Sequence, residues 1–375
     1  MTSSPIIQSI QAWDFNPLFR DGPYAMSHVV QETIFSRILC IQTESGLQGL
    51  GEIILPPSAP RSALLEWNSA EADIINHLIG KSIDAITSQV ERILQSGKPW
   101  NGVAFGLETA GLDLQGQLQG RNLTDLLGGL KCQHMNDYFS ISEKHRAKLK
   151  ERLVLAGPHR KVLQLKLGMG SMQEDEEQVA LTLELMNNNQ ILLADANGGW
   201  SIDRSCETIK LFNDKRLYWE EPCDNYDDNV VVARQTDATI MFDQCVGKFD
   251  VAMRAIDEGV ADAICIKPAF LGGLEISRVV RDRCAEAGIK MRIDGPWCGD
   301  IATAATLHLA AGAPQELLIA SCDLREPLDL KHNLHGARCP NPGQVAPPIG
   351  NGLGLKIDTD CFGEPDASYR PSSGF

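Results

Sequence analysis

The 375-residue sequence contains no Cys-x-x-Cys, although it has 11 cysteines. An odd number without that spacing excludes a zinc ribbon and an even disulfide framework. A positive excess is also missing: 34 Lys and Arg stand against 49 Asp and Glu, a net charge of −15. Such a balance disfavours nonspecific nucleic-acid binding and anchoring to anionic membranes, so no nucleic-acid or membrane partner is expected. It leaves room for an anionic substrate, because a bound metal inverts the local charge. No apolar run reaches the roughly 18 residues of a membrane span. The opening MTSSPIIQSIQAWDF has neither a basic n-region nor a long apolar stretch. A reducing compartment, the cytoplasm, is therefore expected.

What is present is ample core material, with 43% hydrophobic residues. From about residue 160, with one similar run before it, one pattern repeats: a short apolar run ending in a polar residue, then an amphipathic stretch of helical period. The runs are MNDYFSIS (135–142), VLQLKL (162–167), ILLADAN (191–197), RLYWEEP (216–222), TIMFDQ (239–244), AICIKP (263–268), KMRIDG (290–295) and LLIASCD (317–323). Strands alternating with helices imply a parallel sheet, and eight of them match an α/β fold of the closed (β/α)₈-barrel type. A doubly wound sheet is the alternative, but the Gly-rich phosphate turn expected after its first strand is missing. Residues 1–130 read as an α+β domain with a three-stranded antiparallel sheet, 131–325 as the barrel, and 326–375 as a tail. GLGLKIDTD in that tail is expected to form a strand returning to the first domain.

Active sites of parallel barrels lie at the C-terminal strand ends. The polar residues there are Lys166, Asp195, Glu220, Asp243, Lys267, Asp294 and Asp323, each one βα unit after the last. Periodicity brings them to one pocket. Asp195, Glu220 and Asp243 on three consecutive strands would repel unless neutralised, and Mg²⁺, with its oxygen ligands, is the natural partner. Lys166 and Lys267 flank this acidic sector, one on each side. A lysine near a divalent cation has a lowered pKa and works as a base near neutrality. The set suits proton abstraction next to a carboxylate. Asp294 and Asp323 carry less weight, since either also reads as a helix cap.

These residues, with GLGEI, FGLETAGLDLQGQLQG, LKLG, DANGGW, WEEP, FDQ and IKPAFLGGL, resemble the enolase superfamily, in its muconate-lactonising and dipeptide-epimerase-like branch. Sites of that superfamily use a lysine or histidine base with Mg²⁺. The resemblance implies that Lys166 and Lys267 are the acid/base pair, that Asp195, Glu220 and Asp243 hold Mg²⁺, that residues 1–130 cap the barrel, and that the chain forms a homo-oligomer. Two departures stand out: Gln164 replaces the first lysine of the family's Lys-x-Lys, and Gln244 replaces the second acid of its Asp-Glu. IKPAFLGGL followed by DIATAATLHLAA is most similar to cis-3-hydroxy-L-proline dehydratases and hydroxyproline betaine 2-epimerases, implying a small amino-acid or proline-derivative carboxylate as substrate. By the same resemblance Asp323 meets a substrate ammonium, and the capping loops Phe15–His28, with Phe19, Arg20 and Tyr24, and Ile53–Arg61, stiffened by Pro56, Pro57 and Pro60, set specificity. Trp297 reads either as a wall for a cationic amine or as a packed loop aromatic. Cys298 and Cys322 read as small apolar fillers.

Dehydration of cis-3-hydroxy-L-proline is thus the leading expectation, with epimerisation of a proline betaine, amino acid or dipeptide next. An acid-sugar dehydratase would have a seventh-strand histidine, which KMRIDG lacks; His308, in the following helical stretch, reads as structural. A metal-binding homologue without catalysis has only Gln164 and Gln244 in its favour.

Overall fold

The computed structural model describes residues 4–26, 29–55, 61–143, 145–356 and 358–371. His28, Pro56, Pro57 and Pro60 of the two candidate loops lie outside them.

The N-terminal part is built on strands Ile7–Phe15, Ser36–Thr43 and Gln48–Ile54, all antiparallel. Three helices follow, Arg61–Asn76, Ala85–Gln95 and Asn101–Gln119. A fourth strand comes from the tail, at other residues than expected: Ala367–Tyr369 pairs antiparallel with Ile10–Ala12 at the sheet edge. GLGLKIDTD does meet the first domain, Gly352 N donating to Arg121 O (2.8 Å) and Leu123 N to Gly352 O (2.9 Å), but its described residues form no strand and run into a short 3-10 turn, Thr359–Phe362. The helix Asn101–Gln119 lies against the strand Gln48–Ile54 backbone to backbone. A Cβ on Gly51 would come within 2.0 Å of the Gly106 carbonyl oxygen, so only glycine permits this approach.

The eight apolar runs form one parallel sheet, ordered as in sequence: Phe139–Ile141, Val162–Lys166, Ile191–Asp195, Leu217–Glu220, Thr239–Phe242, Ala263–Ile266, Lys290–Ile293 and Leu318–Ala320. Its two edges meet where Ser321 N donates to Asn136 O (3.0 Å) and Tyr138 N to Ser321 O (3.2 Å), curling the sheet into a barrel. The strands are buried almost throughout, as expected of a parallel sheet covered on both faces. Helix starts follow local chemistry: Ser171 and Glu174 form a capping box, and Ser201 and Asn225 cap the next two helices of the barrel. The last strand departs from the (β/α)₈ expectation. Among the described residues no helix follows it before the 3-10 turn; Leu324 leads into a Pro-rich tail.

Two carboxylates of the cap reach the N-termini of barrel helices. Glu52, fully buried, accepts from Gly299 N (2.7 Å), Ala302 N (3.1 Å) and Ser36 Oγ (3.0 Å) at the start of the helix Asp300–Ala311. Glu108 accepts from Leu274 N and from Glu275 N (3.4 Å) at the start of Leu274–Ala287. Carboxylates are favoured there because helix N-termini present unpaired N–H groups and a partial positive charge. GLGEI and FGLETAG thus fasten the cap to the barrel. No described helix is long and apolar enough to cross a membrane.

Candidate active site

Strand alternation turns Gln164 and Lys166, Asp195, Glu220, Cys265 and Arg292 toward the barrel axis, with Asp243, Lys267 and Asp294 at the strand ends. Asp195 and Glu220 are wholly buried, and Asp243 is 2% exposed. Lys166 Nζ lies 2.5 Å from Asp195 Oδ2, and Lys267 Nζ 2.7 Å from each oxygen of Asp243. The two lysines hold the outer carboxylates of the acidic row, as the strand order dictates.

Gln164 bridges Asp195 and the central Glu220. Its amide donates to Asp195 Oδ2 (2.9 Å) and to Glu220 Oε2 (3.0 Å), and its oxygen accepts from Ser140 Oγ (3.1 Å). Gln244, by contrast, is exposed at the start of the 3-10 turn Gln244–Val246, so the second departure lies at the surface. Two strand ends adopt left-handed backbone at non-glycine residues, Asn197 (φ 46°) and Glu221 (φ 43°). Such conformations persist only where the surroundings impose them. Asn197 N donates to Asp195 Oδ1 (2.8 Å), and Glu221 accepts from Asp243 N (2.7 Å) and Cys245 N (2.6 Å). Burial and then the nearby Asp243 push the Glu221 carboxyl up to about 8.

Beside their carboxylates both lysines are raised, and the expectation of a lowered pKa concerns the metal-loaded site. Burial pulls both ammonium groups down, but their neighbours outweigh it: Asp195, then the Tyr24 phenol and Glu220, raise Lys166, and Asp243 raises Lys267. The expectation presupposed a cation beside the lysines; without one, each lysine feels chiefly its carboxylate. Burial and Glu220 raise the Asp195 carboxyl, whereas Lys267 and Arg292 overcome burial and hold Asp243 low.

Arg292 was missed in the sequence. It is 1% exposed and forks onto Glu220, Nη1 at 2.6 Å from Oε2 and Nη2 at 2.5 Å from Oε1. Its Nε is 2.9 Å from Asp294 Oδ2, and Nη2 is 3.9 Å from Asp243. The available signal was an arginine inside an apolar strand, two residues before Asp294 and so on the same face; a buried charge must find partners.

The other candidates separate into two groups. Phe19, Tyr24 and Trp297 come together: Phe19 stacks on Tyr24 at 5.5 Å, and Tyr24 meets Trp297 edge-on at 5.6 Å. The Tyr24 hydroxyl is 2.8 Å from Ser140 Oγ, which places this aromatic wall beside the Gln164 network. Asp294 and Asp323 are committed elsewhere. Asp294 accepts from Tyr138 Oη (2.8 Å) and Cys265 Sγ (3.0 Å) besides holding Arg292, which leaves it buried and saturated. Asp323 is forked by Arg325 (2.7 Å to each oxygen) and lines a separate cavity of about 480 Å³ with Arg20, Asp137 and Arg160, in which neither lysine takes part. Arg20 donates to Leu328 O (3.1 Å). Cys298 and Cys322 are buried thiols with raised pKa, in keeping with packing. His308 is buried in the helix Asp300–Ala311, bonded to Thr124 and Leu353.

Comparison with known proteins places the fold in a family. Residues 145–361 match the family described as Enolase C-terminal domain-like, and residues 10–128 match the Mandelate racemase / muconate lactonizing enzyme, N-terminal domain. The chain belongs to the enolase superfamily. A cis-3-hydroxy-L-proline dehydratase of Roseibium aggregatum is 29% identical over 97% of this chain and 99% of its own. A mandelate racemase/muconate lactonizing enzyme of Roseovarius nubinhibens has the same fold, with a TM-score of 0.86 and 25% identity over 98% of this chain and 99% of that one. A second superfamily member from that organism, solved with magnesium, gives 0.85 and 26% over 97% and 99%.

The donor chemistry in this superfamily member fits a hard divalent cation. Three carboxylates project from adjacent strand ends, and the buried Asp243 Oδ1 receives no directed hydrogen bond despite its contact with Lys267. As they stand, no three acidic, histidine or cysteine side chains among the described residues enclose a common point. Glu220 is turned to Arg292 instead.

Proposed function

We propose that this protein removes the α-proton of a carboxylate substrate, with Asp195, Glu220 and Asp243 as Mg²⁺ ligands, and that it dehydrates cis-3-hydroxy-L-proline or a related proline derivative. The observation that carries this reading is the disposition of Lys166 and Lys267, one at each end of the acidic row. The relative from Roseibium aggregatum supports the choice of substrate.

The stereochemistry of such a substrate needs two groups on opposite faces. In cis-3-hydroxy-L-proline the hydroxyl and carboxylate share one face of the ring, so the α-hydrogen is on the other. One lysine takes the α-proton, the Cα–H electron pair becomes the new double bond, and the other lysine protonates the departing hydroxyl as water. Asp195, Glu220 and Asp243 would hold Mg²⁺, which would supply positive charge for the developing enediolate, and a cation beside Lys166 and Lys267 would lower their pKa. Phe19, Tyr24 and Trp297 wall the substrate off from water. The same lysine pair serves an epimerase, in which the second lysine returns a proton to Cα.

The test is proton NMR in D₂O with Mg²⁺ and a panel of cis-3-hydroxy-L-proline, trans-4-hydroxy-L-proline, its betaine, dipeptides and acid sugars. Loss of a Cα–H signal with new vinylic or imine signals is the expected result. Exchange with inversion would establish epimerisation instead. Protein that binds Mg²⁺ but exchanges no compound would refute the proline substrate class.

A further inference from the structure

We infer that Arg292 is a resident cation of the acidic centre, and that Mg²⁺ binding is an exchange in which the ion replaces the Arg292 guanidinium on Glu220. This rests on the Mg²⁺ reading above.

The argument begins with charge. Asp195, Glu220, Asp243 and Asp294 are buried together. Lys166 answers Asp195 and Lys267 answers Asp243. Glu220, in the middle of the row, has no lysine; its cation is Arg292, reaching across the barrel from the seventh strand with both Nη atoms. A two-point guanidinium–carboxylate pair is directional, and its planar fork occupies the carboxylate edge that a metal ion would need. Gln164 donates to the same carboxylate (3.0 Å), so little of Glu220 is left for an ion until the guanidinium moves.

The remainder of the arginine is tethered so that it can let go without leaving. Nε forms an ion pair, not a directed hydrogen bond, with Asp294 Oδ2 at 2.9 Å; Nη2 donates to Cys265 Sγ (3.3 Å), and the guanidinium carbon sits 5.3 Å from the Tyr138 ring centre. Tyr138 and Cys265 themselves donate to Asp294, fixing that anchor. With Glu220 given up, Arg292 keeps its Asp294 pairing. The device keeps the acidic row folded without metal, because a buried carboxylate left unpaired is strongly destabilising. It also weakens the metal site, through competition for Glu220 and repulsion of a nearby dication.

The experiment is calorimetric titration of the full-length protein with Mg²⁺, with thermal melts in EDTA and in Mg²⁺, on wild type, Arg292→Met and Arg292→Lys. The methionine variant is expected to melt lower in EDTA, to gain more from Mg²⁺ than wild type does, and to bind Mg²⁺ at least about tenfold more tightly. Arg292→Lys keeps the charge but not the fork; it is expected to fold under both conditions and bind with intermediate affinity. If the methionine variant is recovered folded only in Mg²⁺, the exchange is supported. Equal or weaker Mg²⁺ binding by both variants, with wild type binding normally, overturns the exchange alone. No Mg²⁺ binding by any of the three overturns the metal reading and the exchange with it.

Discussion

The Tyr24 hydroxyl lies 2.8 Å from the Ser140 hydroxyl, and through it the cap touches the acidic centre of the barrel. Ser140 Oγ continues to Gln164, and Gln164 to Asp195 and Glu220. A residue of the cap loop is thereby tied to the buried carboxylates by a continuous hydrogen-bond chain. Tyr24→Phe keeps the ring against Phe19 and Trp297 and removes only this link. The expected outcome is a loss of about tenfold in kcat/KM, about 1.4 kcal/mol, with an unchanged melting temperature. Steady-state kinetics beside thermal melts check it.

Replacing either lysine removes a proton carrier; Asp195 keeps its bond from Asn197 N, whereas Asp243 loses its close donor. Lys166→Ala and Lys267→Ala are each expected to lower turnover by about 10² to 10⁴. Calorimetry should still show Mg²⁺ binding by both variants. Retained turnover in either would remove that lysine from the chemistry.

Gln164 donates to two buried carboxylates at once. Gln164→Leu leaves Asp195 and Glu220 each one donor short, at an expected cost of roughly 1–3 kcal/mol. Urea unfolding in EDTA measures it.

Glu52 holds the cap on the helix Asp300–Ala311 through two backbone N–H groups and Ser36. Glu52→Ala removes a helix cap and leaves buried donors unmet, an expected loss of roughly 2 kcal/mol or more. Because the cap carries Tyr24, substrate KM should rise in the same variant.

His308 gives stability a specific pH dependence. Nε2 must donate to the Leu353 carbonyl (3.1 Å), so Nδ1 accepts from the Thr124 hydroxyl (2.8 Å), and burial pushes the imidazole pKa down to about 4. Between pH about 6.5 and 4 the unfolded chain binds a proton that the folded one refuses. The stabilisation is therefore complete above the unfolded pKa and falls as pH falls, by about 3 kcal/mol in all. Glu108 and Asp137, raised by burial to about 7, and Asp113, raised to about 6, act with opposite sign over the same range. The readout is accordingly the difference in unfolding free energy between wild type and His308→Gln across pH 4–7, which should narrow toward acid pH.

Much of this was written in local chemistry. Alternating apolar runs and amphipathic stretches fixed eight parallel strands, because the side-chain periods of strand and helix are properties of the chain itself. Regular spacing put Lys166, Asp195, Glu220, Asp243 and Lys267 at successive strand ends, and the structure brings them together. The tail strand was assigned too early, at GLGLKIDTD rather than Ala367–Tyr369, since a three-residue edge strand has too short a pattern to read. The charge pairing depended on tertiary structure. Arg292 is 72 residues from Glu220, yet their side chains meet across the barrel. Asp294 and Asp323 share the strand-end signature of the other acids, but Tyr138, Cys265 and Arg292 saturate the first, and Arg325 claims the second. Sequence spacing sets where along a strand a side chain emerges; which buried charge neutralises which is a competition among distances, and those exist only once the sheet has curled.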